Sequence, residues 1–445
     1  MSGNTLLKDM LGLLGTRAVW SVMGMVSGII LARWLGPHDR GVLALVLLLP
    51  STLVTFVKFG AAQANVYTIN RQQAPVDKVA SNALVLAVFW GLSTSVIVWI
   101  VRDRLTETVL RDVPDWALAF ALVRTPLLLL DNYLFSILQA TGGFATYNIR
   151  LLLSESLRLI LLAVALIGFG FGLYAALWIY TGVWVMNVTW LLLTMRRDIA
   201  FRFRVDWQLL RDTYSFGIRS YVQILTQHML IRVGFYMVSY FLGASQVAFY
   251  TIALRFTELV LEVPQAIGLV LYPRLASLPE EEVHRLTAQT CRRTLMVTVP
   301  AALVLALLGP YVIVLWYGEA FEPATGPLPW AAVAVAMMSM YVIITRDFTS
   351  RAKQRINTTS GLIALISNAV LCYLLIPRYG IVGAAMATAT SYGAACVVLV
   401  AFFMKESRLG LVDLFVPKRA DFEYFIRVLK KMAKRIPGAA AVLPR

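Results

Sequence analysis

Residues 34–43 read WLGPHDRGVL, and residues 241–250 read FLGASQVAFY. In both stretches a long apolar run ends in Leu-Gly, a few turn residues follow, and a second long apolar run begins. The chain therefore makes the same narrow hairpin twice, at matching places in its two halves. Because both arms of each hairpin are apolar over about 20 residues, the pattern predicts pairs of membrane-spanning helices.

Composition supports an integral membrane protein. Of 445 residues, 59% are hydrophobic and 14% are charged, with a mean hydropathy of +0.73. Soluble globular proteins have about 45–50% apolar and about 25% charged residues. The net charge of +16 is spread over short loops and the C-terminus, so we expect no nucleic-acid partner. Cys291, Cys372 and Cys396 have neither metal-ligand spacing nor an even number for disulfides, and we expect no metal and no cofactor.

The apolar runs predict an α-helical bundle, because each run is far longer than a barrel strand and lipid leaves only helices or closed barrels. Run 11–33 is too long for the core of a signal peptide, so we expect it to be retained. The twelve predicted spans are 11–33, 42–67, 79–101, 115–139, 149–168, 171–195, 214–241, 246–271, 294–317, 326–346, 356–376 and 380–404.

Loop charge predicts the orientation. Alternate loops on one side hold most of the Lys and Arg residues, among them Arg71, Lys78 and Arg150, whereas the opposite loops hold only a few. Basic loops stay on the cytoplasmic side. We therefore expect a multi-pass membrane protein with both termini in the cytoplasm.

A second match extends the repeat. Leu35-Gly36 aligns with Leu242-Gly243, and nearly the same offset aligns residues 172–176 with residues 380–384. The sequence predicts two six-helix lobes related by a parallel pseudo-two-fold axis along the membrane normal, because an even number of spans inserts both lobes the same way up. The predicted segments are the lobe 1–195, the basic linker 196–213, the lobe 214–404 and the tail 405–445.

Charged side chains inside the spans are the candidate functional residues, because such residues are rare in lipid and mostly face a cavity or a partner. Helical spacing puts Thr55, Lys58, Ala62 and Asn65 on one face of the second helix, and it puts His228 and Arg232 one turn apart on the seventh. The cationic candidates are Arg17, Lys58, Arg124, Arg158, Arg219, Arg232 and Arg255, and the acidic ones are Asp131, Glu155, Glu258 and Glu262.

Two interpretations of these charges stay open. Arg255 could pair with Glu258, Arg158 with Glu155 and Arg124 with Asp131, which would make those charges structural, and Arg33 or Arg219 could reach the headgroups. The surplus of cations would instead favour an anionic ligand, because unpaired buried charge is costly and Arg and Lys suit phosphate oxygens. The acidic residues are candidates for proton or sodium coupling or for ion pairing.

The stretches ARWLGPHDRG (32–41) and IPRYGIVGAAMATATSY (376–392), together with the repeat, resemble bacterial polysaccharide flippases of the Wzx type. These belong to the multidrug/oligosaccharidyl-lipid/polysaccharide superfamily, with MurJ-type flippases and MATE exporters as relatives. The resemblance implies alternating access and an undecaprenyl-pyrophosphate-linked oligosaccharide substrate. It also implies a MATE-like fold in a bacterial inner membrane, with a cavity lined by the first, second, seventh and eighth helices. The candidate ligands for the pyrophosphate and sugar are Arg17, Lys58, Arg124, Arg219, His228, Arg232 and Arg255.

Other functions stay open at this point. A MATE-like exporter of small cations would need a bare acidic residue in the cavity, yet Arg17 lies in the first helix. A polymerase or ligase for lipid-linked glycans would need a large outer loop or a catalytic constellation, and the longest outer loop, near 102–114, is short. Polysaccharide polymerase or export machinery is a possible partner.

The tail ends in a predicted interfacial helix. Residues 421–436 put Phe422, Phe425, Ile426, Leu429 and Ile436 on one side and five basic residues on the other. Such a helix is typical of binding to anionic lipid.

Overall fold

The computed structural model describes the backbone of residues 3–197, 199 and 204–433. It describes side chains for residues 19–143, 146–197, 199, 204–215, 217–218 and 221–427. All regular secondary structure in these residues is helical, as the composition and the long apolar runs predict.

Fourteen α-helices follow one another along the described chain, with a π-helical turn at Ala163–Gly168 and a 3₁₀ helix at Glu319–Thr325. The helices are α1 (Gly3–Val57), α2 (Ala61–Asn70), α3 (Val76–Ile100), α4 (Arg102–Thr106), α5 (Asp115–Ala140), α6 (Phe144–Leu162), α7 (Leu173–Met195), α8 (Trp207–Leu242), α9 (Ala244–Leu275), α10 (Glu280–Tyr317), α11 (Leu328–Ser350), α12 (Gln354–Ser407), α13 (Leu411–Phe415) and α14 (Arg419–Ala433).

The two Leu-Gly hairpins share one backbone conformation. Gly36, inside α1, has φ 73° and ψ 176°, and Gly243, between α8 and α9, has φ 84° and ψ −179°. Only glycine adopts this region readily, because a β-carbon would clash there. The same bend therefore occurs twice for the same steric reason.

Eight helices of the described chain are long and apolar enough to cross a membrane. Two of them, α1 and α12, are each bent at a glycine, Gly36 and Gly380. Helix α1 covers the predicted span 11–33 and the first part of 42–67, and α12 covers both 356–376 and 380–404. The predicted spans 214–241 and 246–271 lie within α8 and α9. The multi-span helical architecture is confirmed, and the total of twelve crossings stays a prediction.

One predicted span is interrupted. The sequence predicts a continuous helix over 42–67, but α1 ends at Val57 and α2 begins at Ala61. Phe59 and Gly60 between them have φ values of 43° and 74°. Thr55 and Lys58 therefore do not share one helical face with Ala62 and Asn65, and that part of the prediction is wrong. We call Lys58–Gly60 the helix break.

The first compact unit comprises residues 1–254, 310–327 and 368–387. Part of its core joins α2, α3, α5 and α7 through fully buried residues such as Ala80, Leu129 and Tyr133. At one end of this unit Arg33 donates hydrogen bonds to the carbonyls of Leu315 (2.5 Å) and Trp316 (2.7 Å). Arg33 thus satisfies carbonyls at the C-terminus of α10, which otherwise lack helical partners.

The second compact unit comprises residues 255–309, 328–367 and 388–445. An ion network joins the ends of α10, α11 and α12 in this unit. Arg351 donates hydrogen bonds to the fully buried carboxylate of Asp347 and to the carboxylates of Glu280 and Glu406. Nζ of Lys353 also lies 2.8 Å from the carboxylate of Glu406. The units follow packing rather than the chain repeat, and the two six-helix lobes and their pseudo-two-fold axis stay a prediction.

Candidate functional site

Three basic side chains of the first unit form the cationic cluster: Lys58, His228 and Arg232. Lys58 lies in the helix break, and His228 and Arg232 lie one turn apart on α8. Lys58 and Arg232 both lie close enough to act electrostatically on the imidazole of His228. Among the described residues, no carboxylate pairs with Lys58, and the buried Nε2 of His228 has no hydrogen-bond partner.

Close packing against α8 holds the helix break. A β-carbon on Gly60 would lie 2.3 Å from the carbonyl oxygen of Gly217, so only glycine allows this approach. The hydroxyl of Tyr221 donates to the carbonyl of Phe56 (2.7 Å), whose helical partner is lost because α1 ends there. An interrupted backbone at membrane depth survives where protein groups replace the lost hydrogen bonds, as they do here.

Aromatic rings pack around the helix break. The ring of Phe59 lies 5.4 Å from the ring of Tyr221, 5.5 Å from that of Trp90 and 6.0 Å from that of Tyr214. The indole of Trp90 donates to the hydroxyl of Tyr214 (3.0 Å). One turn beyond Arg232, the hydroxyl of Tyr236 donates to Oγ1 of Thr52 (2.9 Å). These contacts fix α1 against α8 on both sides of Lys58.

Arg124 does not pair with Asp131, which corrects that interpretation. Asp131 forms a buried ion pair with Arg150 of α6, and Nη2 of Arg150 lies 3.4 Å from Oδ2 of the aspartate. The guanidinium of Arg124 instead lies 5.9 Å from the centre of the Trp184 ring. Its buried Nε and Nη1 groups have no hydrogen-bond partner among the described residues.

Two other predicted ion pairs are present. Arg158 contacts Glu155 on α6, and Arg255 lies 2.9 Å from Glu258 on α9. Arg255, Glu258 and Glu262 belong to the second unit, where both glutamates are exposed. Because Glu258 already compensates its charge, Arg255 is a weaker candidate for binding an anion than Lys58.

Arg17 and Arg219 lie in α1 and α8, and their side chains lie outside the described residues. Their proposed contact with substrate therefore stays a prediction. Lys58, His228 and Arg232 are the predicted site residues that the structure brings together.

Sequence reasoning missed the neighbours that shape the site. Tyr221, Tyr236 and Thr52 carry no charge and lie in apolar runs, so nothing in the pattern distinguishes them. The Phe59-Gly60 step was visible in the sequence, but a Phe-Gly pair is ordinary in a spanning helix. Gly217 was the available signal, because two glycines on facing helices permit close backbone contact.

The arrangement is suited to binding a multiply charged anion. Lysine offers a point charge and arginine a planar fork of donors, and both bind phosphate oxygens well. The positive charges of the cationic cluster would repel one another in a medium of low dielectric, and no carboxylate among the described residues pairs with Lys58. An anion entering the cationic cluster would relieve that cost.

Comparison with known proteins finds similarity in sequence to a named flippase and in fold to solved transport proteins. It is 23% identical to the probable low-salt glycan biosynthesis flippase Agl15 of Haloferax volcanii over 186 residues, 41% of this chain and 39% of that relative. The matched part thus spans well under half of the relative's own length.

Two solved structures share the fold. The lipid II flippase MurJ in an inward closed conformation superposes with a TM-score of 0.74 at 14% identity, covering 94% of this chain and 96% of MurJ. An inward-facing MATE multidrug resistance transporter of the MOP superfamily gives a TM-score of 0.71 at 16% identity, covering 87% and 94%. The predicted MATE-like and MurJ-like fold is confirmed.

The match to a protein family covers the hairpin at Gly36, the helix break and the cationic cluster, because it extends over residues 30–325. The family is described as polysaccharide biosynthesis protein, and the chain belongs to it.

Proposed function

We propose that this protein is a flippase for lipid-linked oligosaccharides. Its substrate would be an undecaprenyl-pyrophosphate-linked repeat unit, carried from the cytoplasmic to the outer leaflet of a bacterial inner membrane, with both protein termini in the cytoplasm. The observation that carries the proposal is the cationic cluster, in which Lys58 has no paired carboxylate among the described residues.

Three further facts support this function. The family is concerned with polysaccharide biosynthesis, the Haloferax relative is named as a glycan flippase, and the fold is shared with a lipid II flippase. The pyrophosphate would bind Lys58, His228 and Arg232 while the polyprenyl chain stays in lipid. Because the substrate is returned unchanged, the protein would act as a transporter and not as an enzyme.

Two close contacts, one between the Leu-Gly hairpins and one between the helix break and α8, would serve as gates for alternating access. At the outer side by the predicted orientation, a β-carbon on Gly41 would lie 1.8 Å from the carbonyl oxygen of Ala244. At the inner side, Gly60 meets Gly217 in the same way. In alternating access, one contact would open while the other stays closed.

A MATE-like exporter of small cations is the second candidate. The shared fold favours it, with a TM-score of 0.71 to an inward-facing MATE transporter. Charge opposes it, because a cation would meet the positive potential of Lys58 and Arg232. Export of a fluorescent organic cation by reconstituted protein, without movement of lipid-linked glycan, would support this candidate over the flippase.

The energy source would be the membrane potential rather than a dedicated ion. Asp131, Glu155 and Glu258 each have a basic partner, which leaves them poorly suited to bind and release a proton or sodium. The fourth acidic candidate, Glu262, is exposed on α9 and not enclosed as an ion site would be. An inside-negative potential contributes about 2.3 kcal/mol per charge per 100 mV to outward movement of an anion. Transport measured in proteoliposomes with a potassium-valinomycin potential, but without a sodium or proton gradient, would test this.

Transport in proteoliposomes tests the proposed function. A fluorescent undecaprenyl-pyrophosphate oligosaccharide is placed in both leaflets, and a membrane-impermeant reductant then bleaches the outer pool. We expect the unsubstituted protein to bring the protected inner pool out, and we expect Lys58→Gln and Arg232→Gln to abolish this movement.

Matched controls separate charge from folding. Lys58→Arg keeps the charge and should keep measurable transport, and Arg71→Gln removes an exposed cation at the end of α2 and should have no effect. Full transport by both Lys58→Gln and Arg232→Gln, at equal protein levels, would contradict the proposed binding site.

A further inference from the structure

The C-terminal helix α14 is clamped to α10 by a buried carboxylate. Asp421 is fully buried, and its Oδ2 and Oδ1 accept hydrogen bonds from Nε of Arg292 (2.7 Å) and Nε of Arg293 (3.1 Å). The backbone N–H of Lys418 donates to the same carboxylate (3.1 Å). We call Asp421, Arg292 and Arg293 the Asp421 clamp.

The carboxyl group of Asp421 is ionised in the clamp at neutral pH. Burial alone would raise the pKa of Asp421, but hydrogen bonds from Arg292, the Lys418 backbone and Arg293 lower it on balance. The guanidinium of Arg293 also stacks on the ring of Tyr424, 3.9 Å from its centre. Arg292 reaches the carbonyl of Asp413 as well, so the clamp holds both α13 and α14.

The position of the clamp defines the depth of α14. Arg292 and Arg293 are the last charged residues before the apolar run 294–317 of α10, and no charge follows until Glu319. The end of such a run lies at the boundary between hydrocarbon and headgroups. Because Asp421 is bound to these two arginines, α14 begins at that boundary.

Apolar side chains of the clamped segment are exposed. On α14, Phe422 is 53% exposed and Ile426, one turn later, is 52% exposed. On α13 and just after it, Leu411, Val412, Phe415 and Val416 are exposed. Residues 418–435 also include seven basic and two acidic residues, and Arg419 and Arg427 are exposed.

We propose that α13 and α14 form a binding surface for anionic membrane lipid, with Phe422 and Ile426 inserted at the headgroup boundary. Lipid fits better than another protein for two reasons. The segment is fixed where the membrane surface lies, and its basic residues complement phosphatidylglycerol-type headgroups. A helix with one apolar and one basic face binds such an interface by burying its apolar residues to about 5–10 Å.

Spin-label accessibility in nanodiscs tests this surface with the full chain. Single cysteines for labelling are introduced as Phe422→Cys, Ile426→Cys and, as a matched control on the polar side, Glu423→Cys. The native Cys291, Cys372 and Cys396 are buried, and labelling of the unsubstituted chain gives the background. The nanodiscs contain equal parts of phosphatidylglycerol and phosphatidylcholine, or phosphatidylcholine alone.

In the anionic nanodiscs we expect labels at 422 and 426 to collide with oxygen and to be shielded from a water-soluble nickel complex. The label at 423 should show the reverse, and the contrast should weaken in phosphatidylcholine alone. Equal nickel access at all three positions would overturn the proposal. Shielding of 422 and 426 from both reagents would also overturn it, because that result indicates a protein partner. An unchanged contrast without anionic lipid would overturn the preference for anionic headgroups.

Discussion

At the scale of single residues, the pairing of charges decides which side chains are available to a ligand. Asp131 and Arg150 are both buried and satisfy each other between α5 and α6. Lys58 has no such partner among the described residues. Charged side chains of this fold therefore differ in role: Asp131 and Arg150 pair with each other, whereas we propose that Lys58 binds the ligand.

Removing one partner of the Asp131–Arg150 pair should destabilise the protein. Asp131→Asn leaves Arg150 buried without its counter-charge, which typically costs about 3–5 kcal/mol. Thermal unfolding in detergent should show a clear fall in Tm. The exposed Asp39→Asn in the hairpin turn is the matched control and should change nothing. An unchanged Tm for Asp131→Asn would show that the pair does not stabilise the fold.

The Asp131–Arg150 pair was not predictable from spacing along one helix. Arg150 lies at the edge of a predicted span, and loop charge assigned it to the cytoplasmic side. Its partner is nineteen residues away on another helix, so only the packing of α5 against α6 shows the contact. Pairs within one helix, such as Arg255 with Glu258, were predictable because three residues make almost one turn.

At the scale of elements, the helix break interrupts a predicted spanning helix at the proposed binding site. Gly60 allows the positive φ of 74° and also the contact with Gly217. Both requirements act on one residue, so the break depends on tertiary packing as well as on local backbone preference. The sequence pattern along one helix indicates the local backbone preference but not the tertiary packing.

A methyl group at Gly60 should push α8 away. Gly60→Ala places a β-carbon 2.3 Å from the Gly217 carbonyl oxygen and adds strain at a positive φ. Overpacking of this kind costs about 1–3 kcal/mol. Gly28→Ala is the matched control, because nothing lies within 4 Å of a β-carbon there. We expect reduced Tm only for Gly60→Ala, and equal Tm values would contradict the close contact.

The Asp421 clamp should open only in acid. Because the folded pKa of Asp421 lies below its ordinary 3.8, the clamp contributes stability above that pH and loses it as pH falls through the folded pKa. A spin label at Glu423→Cys in uncharged detergent should stay immobile at pH 3.8 and become mobile only at lower pH, where the folded Asp421 takes up its proton. With Asp421→Asn added, the label should be mobile at every pH. A label that stays immobile in acid, or in the Asp421→Asn variant, would contradict the clamp.

At the scale of the whole molecule, hydropathy and loop chemistry predict most of the architecture. Apart from the helix break and one or two residues at an end of the spans 79–101, 171–195 and 326–346, every predicted span lies in helical structure, because long apolar runs have few alternatives in lipid. The two hairpins were predictable from Leu-Gly. The environment of Lys58 was not predictable, because it depends on the packing of α1 against α8. The end of α1 and the start of α8 are 150 residues apart in the chain.

Equilibrium binding of a short-chain polyprenyl pyrophosphate to the full protein in nanodiscs tests whether the cationic cluster binds pyrophosphate. We expect saturable binding that weakens with salt, is lost in Lys58→Gln with Arg232→Gln, and is retained in Arg71→Gln. Equal affinity in the doubly substituted and unsubstituted proteins would contradict an anion site at the cationic cluster.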